Sequence, residues 1–83
     1  MKKIEFAAIQ YEGKIYKGFR HANIMRDMMD NGIKGHINQE CMGFLTDTGE
    51  FVSRVEAAKI AYEAGQIPNG IYSLDSYQVF PLR

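Results

Sequence analysis

The sequence predicts an α+β domain: a small antiparallel sheet with two α-helices, in the order β-β-α-β-β-α-β. Three observations predict it. Short apolar runs are separated by glycine-bearing turns, as at Tyr11-Glu12-Gly13-Lys14 and Asp47-Thr48-Gly49. Two segments change to helical spacing and each stops at a glycine, Gly32 and Gly65. No repeat, low-complexity tract or linker divides the 83 residues, so 1–83 reads as one domain.

Each element has its own signal. Residues 3–10 read as a largely buried strand, and Ile15-Tyr16 opens a second strand across the turn, giving a hairpin. In 20–30, Ile24, Met25, Met28 and Met29 recur with helical period while Arg26, Asp27 and Asp30 fall elsewhere. Three methionines make that apolar face soft, suited to core filling or a subunit contact. After the stop at Asn31-Gly32 comes a polar loop to Gln39 containing His36. Residues 40–46 form a strand centred on Met42, Phe44 and Leu45, and Phe51-Val52 returns after the turn. In the helix 54–64, Ala57, Ala58, Ala61 and Ala64 permit close packing on a neighbour. Beyond the Gln66–Gly70 turn, Ile71-Tyr72 reads as a closing edge strand.

Composition narrows the function. Ten basic and ten acidic residues cancel. A non-specific DNA or RNA binder carries a basic excess or stripe, so nucleic acid is not the expected partner. Cys41 is the single cysteine, which rules out an intramolecular disulfide and fits a reducing compartment. No run has signal-peptide character or the roughly 20 apolar residues of a membrane span, so a soluble, cytoplasmic protein without membrane contact is expected. A chain this short buries little more than ~60% of its unfolded surface, and association with further copies is a common remedy.

Catalysis finds little support. His21, His36 and Cys41 lack metal-ligand spacing, and neither a phosphate loop nor a nucleophile elbow is present. No catalytic residue, metal or cofactor is expected. Anion binding has more to rest on. Arg20-His21 and Ser53-Arg54 both stand where a strand runs into a helix, whose free N–H groups suit phosphate oxygens. Ser53 and Glu56 have capping-box spacing, which places Arg54 at the first helical position, a locally unfavourable place for a cation. The plainer alternative is that Arg20 pairs with a carboxylate, Arg54 is solvated and Ser53 is only a cap. Phe44 and Phe51 flank the turn and can stack a base, although core packing is the default for at least one of them.

The string Gly43-Phe-Leu-Thr-Asp-Thr-Gly-Glu-Phe-Val-Ser-Arg-Val-Glu-Ala-Ala-Lys-Ile-Ala-Tyr-Glu-Ala-Gly-Gln66, with Arg20-His21 before a helix and the N-terminal Ala7-Ala-Ile, resembles the phage Thoeris anti-defence 1 family. The resemblance covers most of the chain. It implies a non-enzymatic sponge that holds the cyclic nucleotide signal of TIR-domain enzymes, an isomer of cyclic ADP-ribose, unaltered. Some members also take cyclic oligonucleotides at separate sites. It further implies that Arg20, His21, Phe44, Ser53 and Arg54 contact ligand in a pocket shared between chains. The protein would then be a homo-oligomer, dimer or hexamer, acting in the cytoplasm of the infected host. The chain departs from the pattern at Phe19, where relatives carry a further arginine, in a shorter first loop, and in Ser73-Leu-Asp-Ser-Tyr77, where they read Ser-Glu-Asp-Leu-Tyr/Trp. These differences bear on ligand identity more than on fold. A different class of function, a protein–protein module that inhibits a host protein through helix 20–30, requires an exposed apolar helix face.

Overall fold

The computed structural model describes residues 2–33 and 37–80. His36 and Arg83 lie outside them. Strands β1 (Ile4–Tyr11), β2 (Lys14–Gly18), β3 (Met42–Thr46) and β4 (Phe51–Ser53) form one antiparallel sheet in the order β2-β1-β3-β4. Helix α1 (His21–Asp30) follows β2, and α2 (Arg54–Glu63) follows β4 without a connecting residue. The α+β architecture read from the sequence is the one observed.

The final strand is a correction. Residues 71–75 join no strand, and the last element among the described residues is instead a short helix, α3 (Ser76–Val79). Tyr72 is 82% exposed. The reason lies in β4: its three residues pass directly into α2, so the neighbouring sheet edge offers almost no ladder for another strand.

Both helices pack on one face of the sheet. Ala7, Phe44 and Val52 are cross-strand neighbours on that face, and with Ile4, Ile9, Ile24, Met28, Ala57, Ala58, Ala61, Ile67 and Leu74 they form the core. Ile4 pairs with Thr46 and Phe6 with Leu45, so Glu5 is an extra residue, a β-bulge. The bulge turns Ile4 into the core and Phe6 to the opposite face. There Phe6, Leu45 and Phe51 form a row across three strands. Phe19 extends it, with ring centroids 5.7 Å from Phe6 and 5.3 Å from Phe80.

Both predicted helix stops form. After α2, the amide of Gly65 donates to the Tyr62 carbonyl and that of Gln66 to the Ala61 carbonyl, a Schellman ending with Gly65 at φ 74°. The Gln66 side chain then exchanges two 2.8 Å hydrogen bonds with the backbone of Ile4, tying the end of α2 to the start of β1. The hairpin turn has positive φ at both central residues, Glu12 and Gly13, the pattern of a type I′ turn.

Candidate functional site

The starts of α1 and α2 meet the same segment of chain, residues 74–80. On the α2 side, the amide of Leu74 donates to the Arg54 carbonyl and Arg54 Nε donates to the Leu74 carbonyl, both at 3.0 Å. Arg54 Nη2 donates to Asp75 Oδ1, closing an ion pair. On the α1 side, the His21 amide donates to Ser76 Oγ at 3.3 Å, and Arg20 Nε donates to the Phe80 carbonyl at 3.0 Å. Leu74 is fully buried and Ser76 nearly so, which fixes this belt on the core. The Asp75 amide in turn donates to Gln78 Oε1 at 2.8 Å.

Ser53 is the N-cap of α2, its Oγ accepting from the Glu56 amide at 3.1 Å. Arg20 is the N-cap of α1 in extended backbone, without a side-chain cap bond. His21 lies between the helix and the sheet. Its Nε2 is 2.8 Å from the Gly43 carbonyl, which can only accept, so Nε2 carries the proton. Burial lowers the His21 pKa from its ordinary 6.5, and the positive charge of Arg54 adds to the effect, while the Gly43 carbonyl opposes it.

Beside α2, Glu40, Met42, Ser53, Arg54, Val55 and Ser73 line an open cavity of about 240 Å³. Of the five residues singled out in the sequence, Ser53 and Arg54 line it. Arg20 and His21 do not line it; they bond to Phe80 and Ser76 of the 74–80 belt. Phe44 does not belong there: it is 0% exposed, an inward-facing residue of β3 with the His21 ring 5.1 Å away, edge to face. No face of Phe44 is left for a base. Arg54 is not the unpaired cation the spacing suggested, because Asp75 neutralises it within the chain. Asp75 and Leu74 were missed by sequence reasoning. Asp75 and Gln78 stand three apart, as N-cap and N3 do in a capping box, and that spacing was the available signal. Among the described residues, no group of three or more His, Cys, Asp or Glu could hold a metal ion, and no helix is long and apolar enough to cross a membrane.

Fold and site together define a small two-layer α+β protein with two helix starts held to one segment of chain and an open cleft at the start of α2. The family model described as Phage T4 y16D protein matches residues 3–80, and the chain belongs to that family of phage proteins. No curated protein and no solved structure matches it.

Proposed function

We propose that this phage protein is a sponge: it binds a cyclic nucleotide immune signal, an isomer of cyclic ADP-ribose made by TIR-domain enzymes, and withholds it uncleaved in the host cytoplasm. Membership of a phage family and the resemblance of the Gly43–Gln66 block to Thoeris anti-defence 1 proteins support the reading. The observation that carries it is the start of α2, where Arg54 and the helix N–H groups stand at an open cavity and suit phosphate oxygens; Glu40 also lines that cavity, and Asp75 pairs with Arg54. The cavity's 240 Å³ is below the roughly 300–1,000 Å³ of pockets that enclose a ligand. In this reading a second copy of the chain completes the pocket, so that assembly and binding are linked.

Native mass spectrometry of the protein with a panel of cyclic ADP-ribose isomers and cyclic oligonucleotides tests this. The expected result is an oligomer that takes up one of them, released intact on heating. Failure to retain any, or recovery of a cleaved product, contradicts the proposal.

A second reading, a module that inhibits a host protein, is favoured by a different residue. Met29 on α1 is 69% exposed, an apolar side chain that the helix leaves open to a partner. A monomer that ignores every cyclic nucleotide would support it.

A further inference from the structure

Resting on that reading, we infer that Asp75 is a positioning residue that aims Arg54 at a phosphate group of the ligand. A guanidinium has five N–H donors in a planar fork. Arg54 commits one edge of the fork inside the chain: Nε to the Leu74 carbonyl and Nη2 to Asp75. The other edge, Nη1 and the second N–H of Nη2, has no acceptor among the described residues, and the side chain lines the cavity beside Ser53 and Ser73. An arginine held along one edge presents the other in a fixed plane, the arrangement that matches two phosphate oxygens at once.

The ion pair has an opposite interpretation, in which Asp75 imitates a phosphate and is expelled when the ligand arrives. The surroundings favour positioning. Leu74 is fully buried and bonded to Arg54 in both directions, so the platform beneath the ion pair is fixed. The Asp75 amide is held by Gln78 Oε1 at 2.8 Å, so the backbone that carries the carboxylate is held in place beside Arg54 as well. Pre-ordering of this kind strengthens binding by removing the entropy cost of fixing a long side chain when the ligand docks. The ligand group is then a phosphodiester or pyrophosphate. A neutral nucleoside lacks the paired oxygens that the free edge requires.

The test is a double-mutant cycle read by calorimetry with the cyclic ADP-ribose isomers, on variants whose melting temperature and oligomeric state are checked. Asp75→Ala should weaken binding about tenfold or more, the scale of a lost hydrogen bond to a charged group. Asp75→Asn keeps an acceptor for Nη2 and should stay within about threefold of wild type. In an Arg54→Ala background, Asp75→Ala should have no further effect, because its contribution passes through Arg54. Tighter binding by Asp75→Ala, or additive losses in the cycle, overturns the inference while leaving the sponge intact. Wild-type protein that binds no isomer overturns both.

Discussion

Arg54 and Leu74 hold each other by two hydrogen bonds of 3.0 Å, Leu74 amide to Arg54 carbonyl and Arg54 Nε to Leu74 carbonyl. The first residue of α2 is thus joined to a stretch of chain twenty positions later, which also carries the contacts of Arg20 and His21. Leu74 is 0% exposed and serves as the anchor of this belt. Leu74→Ala should cost about 2–5 kcal/mol of stability, the range for truncating a fully buried leucine. Urea unfolding measures it, and a loss under about 1 kcal/mol would show that the belt is not held by the core.

Gly43 is fixed by close approach. A Cβ at this position would stand 2.3 Å from the Val52 carbonyl oxygen and 2.7 Å from the Phe51 ring. The ring can rotate away, but the carbonyl is part of the β3–β4 ladder. Gly43→Ala is expected to destabilise the fold by roughly 1–3 kcal/mol through overpacking. It should also loosen the β4–α2 junction, seen as faster amide exchange at Ser53 and Arg54. Unchanged denaturation and exchange would contradict this account of the junction.

His21 gives stability a defined pH dependence. Burial holds its folded pKa below the ordinary 6.5, so between those two values the unfolded chain binds more protons than the folded one. Its contribution is therefore complete above about pH 6.5 and is lost as pH falls toward the lowered value. Arg54 reinforces the shift, while Gly43 and Ala8 carbonyls and the Asp75 charge oppose it. Denaturant midpoints measured from pH 7.5 down to pH 5 should fall in wild type. His21→Gln, which keeps an N–H for Gly43, should flatten the slope. An equal slope in both proteins would remove His21 as the cause.

Ser53→Ala deletes the α2 cap and should lower stability by about 1 kcal/mol. If Ser53 also touches ligand, the loss in binding exceeds what that destabilisation explains. Calorimetry below the melting transition separates the two. Binding unchanged by the substitution would make Ser53 a cap alone.

The sheet and both long helices were legible because each is marked twice, once by apolar spacing and once by its turn or stop. The end of α2 illustrates this: alternation ceases, alanines recur on one face, and glycine stands where φ must be positive. Phe44 was not legible. Met42, Gly43, Phe44 and Leu45 are non-polar in succession, so period alone cannot say which of them faces the helices; only the register with Ala7 and Val52 does. The tail failed for a related reason. Ile71-Tyr72 has strand chemistry, but whether a strand forms depends on a free sheet edge, and the passage from β4 into α2 closes that edge. Asp75 lay in a segment noted only as a departure from the family pattern, and its meeting with Arg54 depends on a contact across 21 positions.

The most direct measurement incubates the protein with each cyclic ADP-ribose isomer, removes free ligand, heats the complex and weighs what is released, with Arg20→Ala in parallel. The sponge account predicts that wild type retains one isomer and releases it with unchanged mass. It predicts that Arg20→Ala retains none while keeping the wild-type fold and assembly. Retention by Arg20→Ala equal to wild type contradicts the site, and a hydrolysed product contradicts the function.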